Sequence, residues 1–297
     1  ERLGWTGDRV TGCFGENILF DNSALYYKWL HDIEDTQLDG GHVSDICPVH
    51  LKLYSQNVTW QAAFVYATYM LFRHEGDLQA VREHYPALRR WMQYVENELM
   101  EDGVVVRDNY GDWCMPPESK ELINSQDPER ITDGRVLGTT VFYDCLRMMM
   151  EMGEELGLGA DVRYYAKLQQ SIKEAYNRKF FNPETAQYSN NTVTANLLSL
   201  ELGLVPAGAE ERVMENIVRV TEDKFGGHVS CGVLGMQHLM RGLTRRGHTD
   251  LAMKIVTQRS YPSYGYMIDH GATTIWELWN GDTANPAMNS GNHVMLL

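Results

Sequence analysis

The chain has little positive charge, no paired cysteines and no long apolar run, and each absence removes a class of function. Its 26 Lys and Arg face 40 Asp and Glu, a formal net charge of −14, and no basic run stands among them. Nucleic-acid binding depends on Lys and Arg neutralising phosphates, so no nucleic-acid partner is expected, and the acidity reads as favouring solubility. No stretch approaches the ~18 uninterrupted apolar residues of a membrane-spanning helix. The cysteines Cys13, Cys47, Cys114, Cys145 and Cys231 are scattered without CxxC or zinc spacing. A chain of 297 residues needs no disulfide staples, so most are expected to be buried free thiols. His228, His238 and His248 do not share a helix face with carboxylates at ligand spacing, and no metal or cofactor is assigned. No Pro/Ser/Gly-rich linker divides the chain, and no strict repeat of solenoid period is present. The chain opens on Glu1 inside a motif and closes within the apolar Val294-Met295-Leu296-Leu297, so it reads as a fragment cut at both ends.

What is present is helical periodicity. Trp60, Ala63, Phe64, Ala67, Met70 and Leu71 recur at three- and four-residue spacing, as do Leu88, Trp91, Met92, Val95 and Leu99, and Leu137, Val141, Cys145, Met148 and Met149. Leu197, Leu198, Leu200 and Leu202 precede Gly203 in the same way. Helix stops are expected at Gly76-Asp77, Asp102-Gly103, Gly157, Gly159 and Gly203. The pattern predicts about ten or eleven helices with very little strand, one short example being Gly103 to Val106. Some connections are tight, such as Gly247-His248. Others are long and rich in Trp, Gly, Pro and Asn, such as Tyr110 to Asp133 and Ser260 to Trp279. Long loops in an all-helical domain usually carry function, and they suggest a toroid of helical hairpins whose loops build a cleft.

Four segments place aromatic residues next to carboxylates, with glycine for tight backbone. They are Glu1-Arg2-Leu3-Gly4-Trp5-Thr6-Gly7-Asp8, Tyr110-Gly111-Asp112-Trp113, Gly271 to Trp279, and Met288-Asn289-Ser290-Gly291-Asn292-His293. Indole and phenol faces stack on the C–H faces of sugar rings, and Asp, Asn and His bind hydroxyls. Glycoside hydrolysis needs two carboxyl groups flanking the anomeric carbon, one of them an acid kept protonated by apolar walls. A single Asp-Trp pair is usually a loop residue beside a core aromatic; four such segments together point to a carbohydrate-active helical domain.

The segment Glu1 to Asp8 resembles the signature of the α-L-rhamnosidases of glycoside hydrolase family 78. The run Tyr261-Pro262-Ser263-Tyr264-Gly265-Tyr266-Met267, continuing through His270-Gly271-Ala272-Thr273-Thr274 to Trp276-Glu277, resembles that family's second signature. Gly111-Asp112-Trp113 and Asn289-Ser290-Gly291-Asn292-His293 match in the same order. The resemblance implies an all-α fold, a six-hairpin (α/α)6 barrel incomplete in this chain. It makes residues 1–297 a single partial catalytic domain, with N-terminal β-domains and a C-terminal part lying outside it. It also implies hydrolysis of terminal α-linked L-rhamnose from a glycoside or polysaccharide, with inversion. Glu1 aligns with the proposed general acid and Glu277 with the proposed general base. Asp8 aligns with a carboxylate holding rhamnose hydroxyls, and Arg2 lies beside the acid. Trp5, Trp60 and Trp113 align with aromatic residues around the sugar, and His293 with a histidine near the base.

Read without the family, Trp60 at the start of an apolar helix is core. Asp112 is a pocket carboxylate or a cap for the following turn, the pocket being slightly favoured. His270 and Asp269 position a loop rather than touch sugar. Asn57-Val58-Thr59 and Asn190-Asn191-Thr192 fit the glycosylation sequon, a match common by chance. Two features depart from the family: the chain begins after the position of a further sugar-contacting carboxylate, and Leu278 follows the base where an Arg is frequent. The alternatives are another α/α-barrel glycosidase or lyase, or a non-catalytic carbohydrate-binding relative. A lyase for uronic acids would want several Arg or Lys in the pocket, and the four segments contain only Arg2. The compartment of the parent stays open between cytoplasm, periplasm and secretion in a bacterium.

Overall fold

In the computed structural model, which describes residues 3–284 and 290–293, the chain is all-α. Among the described residues there are eleven α-helices and two short two-stranded hairpins. The chain divides into two compact units, one of residues 2–110 and 138–176, the other of residue 1 with 111–137 and 177–297.

The first unit is built on α3 (Ala63–Met70). All eight of its residues are buried, as expected of a helix that is apolar on every side. Around it pack α1 (Gly7–Leu19), α2 (Ser23–Asp35) and α4 (Leu78–Tyr94). Each of these is amphipathic; α4, for example, buries Val81, Tyr85, Leu88, Trp91 and Met92 and exposes Arg82, Glu83, Arg89 and Arg90. Asp77 starts α4 by accepting hydrogen bonds from the amides of Gln79 (2.8 Å) and Ala80 (3.1 Å). Both α3 and α4 end in a π-helical turn, Leu71–Glu75 and Val95–Leu99. The first of these stops at Gly76, whose φ of 69° is left-handed, in line with the stop read there. The strands β1 (Met100–Glu101) and β2 (Val104–Val105) pair antiparallel. The dipeptide Asp102-Gly103 between them has φ of 51° and 77°. It is therefore a two-residue hairpin turn, for which an Asp-Gly pair is the strongest short-range signal, and not a helix stop. Most of α5 (Gly134–Glu155) and α6 (Gly159–Phe180) complete this unit. Gly159 opens α6 instead of closing a helix.

The second unit repeats the scheme with α7 (Val193–Glu201) at its centre, buried from Val193 to Leu200 and packed on α8 (Glu210–Arg219) and α9 (Val233–Arg245). The strands β3 (Phe181–Asn182) and β4 (Gln187–Tyr188) form its hairpin, and α10 (Thr249–Thr257) packs on α9 and α11 (Tyr264–Asp269). The Tyr110 to Asp133 connection has no regular element, as expected, whereas Ser260 to Trp279 carries α11. A third long connection, between α2 and α3, also has no helix or strand of three residues or more.

Candidate active site

The N-terminal motif is held by backbone. The amide of Cys47 donates to the Gly4 carbonyl at 2.7 Å, and the Thr6 amide and hydroxyl both donate to the Asp45 carbonyl at 2.9 Å. Its two glycines are required by contact: a Cβ on Gly4 would lie 2.0 Å from the Cys47 carbonyl oxygen, and one on Gly7 2.3 Å from Cε2 of Trp60. Gly7 thus seats the start of α1 against the Trp60 indole. Asp8 lies in the first turn of that helix, not in a loop. The Tyr110 ring stacks on Trp60 at 4.4 Å and 20°, and the half-buried Trp5 meets the Tyr110 ring edge-on at 6.1 Å. Trp60 is only 4% exposed, which agrees with its reading as core. A cavity of about 260 Å³ is lined by Leu3, Gly4, Trp5, Asp8, Arg9 and Trp29, among others.

Two carboxylates that the motifs did not mark organise this aromatic group. Asp45 is fully buried and accepts from Asn57 (2.7 Å), Gln61 (3.0 Å), the Ser55 amide (3.2 Å), the Ser55 hydroxyl and the Tyr110 phenol (2.9 Å). A buried carboxylate needs such a set to offset its lost hydration. Its one sequence signal is a lone acid in Val43-Ser44-Asp45-Ile46-Cys47, whose other residues are small or apolar. Asp108 accepts from the amides of Val58 (3.0 Å) and Thr59 (2.9 Å) and from the Thr59 hydroxyl (3.0 Å), and so fixes the turn that carries Trp60. Burial raises its carboxyl to about 6, against those hydrogen bonds. Asn57 is itself fully buried and donates to Asp45 and Ser55, so this sequon presents no accessible amide in the folded chain.

In the second unit Glu277 is buried (6% exposed), with both carboxylate oxygens oriented. Oε1 accepts from Trp113 Nε1 at 3.2 Å and Oε2 from the Ser290 amide at 2.9 Å. The Glu277 amide donates to the Ser290 carbonyl at 2.9 Å, and the His293 amide to the Ile275 carbonyl at 2.8 Å, so the last two motif segments run against each other. Among the described residues each oxygen has this one hydrogen-bond partner, and a carboxylate oxygen can accept a second from a water or a hydroxyl.

Asp112, adjacent to Trp113, does not present a free carboxylate. Oδ1 accepts from the amides of Leu234 (3.0 Å) and Gly235 (3.3 Å), Oδ2 from the Gly232 amide (2.7 Å) and the Thr194 hydroxyl. Its acceptor sites are committed, so it acts as an N-terminal cap of α9 supplied from a distant loop, and the pocket reading gives way to the capping one. Burial pushes this carboxyl above the usual range. Trp113 is fixed from the other side as well, its carbonyl accepting from the Val233 amide at 2.8 Å.

Several residues of the segment before Glu277 are tied into the surrounding structure. His270 stacks on Tyr266 at 3.9 Å and its Nδ1 meets the Tyr266 carbonyl at 2.8 Å, while Asp269 pairs with Arg259. The Tyr266 phenol donates to Asp282 at 2.8 Å. Asn280, fully buried, donates to the carbonyls of Lys120 and Leu122 at 2.7 Å, tying the Glu277 segment to the Tyr110 to Asp133 connection. Leu278 is buried (3% exposed), in a position that holds a neutral side chain without charge compensation. Glu1, Arg2, Met288 and Asn289 lie outside the described residues.

Residues 1–296 match the family described as the bacterial alpha-L-rhamnosidase 6 hairpin glycosidase domain. An alpha-L-rhamnosidase of Streptomyces avermitilis is 32% identical over 99% of this chain, which covers 27% of that protein. The structure of an alpha-L-rhamnosidase from Dictyoglumus thermophilum aligns with a TM-score of 0.91 at 32% identity, covering 100% of this chain and 33% of that one. The crystal structure of Streptomyces avermitilis alpha-L-rhamnosidase complexed with L-rhamnose aligns at 0.88 and 30% identity, covering 100% of this chain and 28% of that one. The chain thus spans about a third or less of the length of these relatives.

Proposed function

Given that this chain belongs to the bacterial alpha-L-rhamnosidase six-hairpin glycosidase family, we propose that its full-length protein hydrolyses terminal α-linked L-rhamnose with inversion. The fold class is the all-α six-hairpin class of that family. Glu277 is the general base and Glu1 the general acid. Arg2, Trp5, Asp8, Trp60, Trp113 and His293 are the contacts to the sugar or its immediate support, with Asp112 as the residue that positions Trp113.

The observation that carries the reading is the setting of Glu277. Inversion requires one carboxylate to hold and deprotonate a single water on one face of the sugar ring. A glutamate that is buried, held on both oxygens by an indole N–H and a backbone amide, with one partner per oxygen among the described residues, suits that task. The partner carboxyl must stand about 6.5–9.5 Å away to leave room for the water.

The test is hydrolysis of an aryl α-L-rhamnoside by the full-length protein, followed by NMR. Inversion of an α-linkage releases β-L-rhamnose first; α-L-rhamnose appearing first would sink the inverting assignment. Glu277→Gln is expected to lower kcat by about 10²–10⁴-fold while rhamnose binding persists. Retained turnover would remove Glu277 from the role of base. Aryl glucosides and glucuronides run in parallel separate this reading from other glycosidases of the fold.

A further inference from the structure

We propose that His31, Glu83 and His84 form a site for a divalent transition-metal ion of the zinc type. His31 lies on α2, and Glu83 and His84 are consecutive on α4. One ligand-capable atom from each lies within 4.8 Å of the others. His31 Nε2 and Glu83 Oε2 are already 3.5 Å apart, the spacing of two ligands on one tetrahedral ion bound at about 2.0–2.2 Å. The rings of His31 and His84 meet edge-on with centroids 4.6 Å apart.

His84 supplies the independent observation. Its side chain is fully buried, and its Nε2 has no hydrogen-bond partner among the described residues. Its Nδ1 meets Glu34 Oε2 at 2.7 Å. A neutral imidazole that donates from Nδ1 to a carboxylate presents a bare lone pair on Nε2, and this carboxylate–histidine pairing is the usual outer support of a metal-bound histidine. An orphaned buried nitrogen is costly without a partner, and a cation at this place supplies one.

The surroundings favour a cation and give it access. Glu34 and Glu83 bring two negative charges, with Arg90 3.8 Å from Glu34 as the nearby compensating charge. The Tyr27 phenol and Gln79 Nε2 (2.8 Å) donate to Glu83 and hold its carboxylate in place. The side chains of His31 and Glu83 are 48% and 37% exposed, so the ion enters from solvent. Two imidazoles and one carboxylate select zinc-like ions over calcium or magnesium, which take oxygen ligands. Three protein ligands leave a fourth position for water.

The experiment is a calorimetric Zn²⁺ titration of chelator-stripped full-length protein, with Co²⁺ absorption as a reporter of tetrahedral coordination. Wild type is expected to bind one more Zn²⁺ per chain than the double variant His31→Ala/Glu83→Ala. That variant changes only exposed side chains, and far-UV circular dichroism checks that it folds. Glu34→Gln is expected to weaken Zn²⁺ binding by about 10–100-fold, the usual effect of removing such a support. Equal Zn²⁺ stoichiometry and affinity in wild type and double variant overturns the proposal, as does no uptake by wild type. Neither result bears on which glycoside is cleaved.

Discussion

Gly7 leaves no space for a methyl group against the Trp60 indole, and Trp60 also has Tyr110 stacked on it. Gly7→Ala is expected to cost about 1–3 kcal/mol by overpacking, read as a lowered urea midpoint, and to displace the aromatic stack. If those rings line the sugar site, KM rises more than kcat falls; an unchanged midpoint would mean that α1 shifts freely. Asp108 makes a second residue-level prediction through pH. Burial raises its carboxyl from 3.8 to about 6. The folded chain then holds this proton to higher pH than the unfolded chain does, so the contribution to stability is full below 3.8 and is lost as pH rises through about 6. Asp108→Asn is expected to flatten that part of the profile, so that melting temperatures of wild type and variant diverge between about pH 4 and pH 6. Parallel profiles would contradict it. Asp45, fully buried, is a lone acid beside Val43, Ile46 and Cys47. Asp108 had no such sequence signal, since its partners Val58 and Thr59 lie some 50 positions away.

Helices α4 and α9 begin differently, and the difference is measurable. Asp77 caps α4 from the adjacent position, so Asp77→Ala is expected to cost about 1 kcal/mol in stability with no effect on turnover. Asp112 caps α9 from a connection 120 or more positions earlier, by way of three amides and the Thr194 hydroxyl. Asp112→Ala strands these donors in a buried place and is expected to cost about 2 kcal/mol or more. It also frees Trp113 and thereby one of the two groups orienting Glu277, so kcat falls as well. Loss of stability with kcat intact would confine Asp112 to the helix. Element identity was largely legible because α3, α4, α5 and α7 each carry an unbroken apolar period. What the sequence hid was long-range: a cap, a hub or a metal cluster such as His31 with Glu83 and His84 leaves no local spacing to read. Asp102-Gly103 was misread for the opposite reason, since left-handed backbone serves a helix end and a hairpin turn alike.

The five cysteines are all buried and free, as expected, and they label the two units unequally. Cys13, Cys47 and Cys145 lie in one and Cys114 and Cys231 in the other. Burial raises the thiols of Cys13, Cys47, Cys145 and Cys231, so little reactive thiolate is present in the folded chain. Helices α5 and α6 each run through a boundary between the units, so neither unit can unravel without shortening a helix of the other. Pulse alkylation with mass spectrometry across a urea series is therefore expected to show all five thiols appearing in one transition. Separate appearance of three and then two would mean independent unfolding. The chain's seven tryptophans also give it a built-in optical signal. The half-buried Trp113 donates its indole N–H directly to Glu277, so its emission responds to whatever displaces or neutralises that carboxylate. A Trp113→Phe difference spectrum would isolate this one fluorophore, turning the hydrogen bond to the proposed base into a spectroscopic gauge of site occupancy that needs no chromogenic substrate.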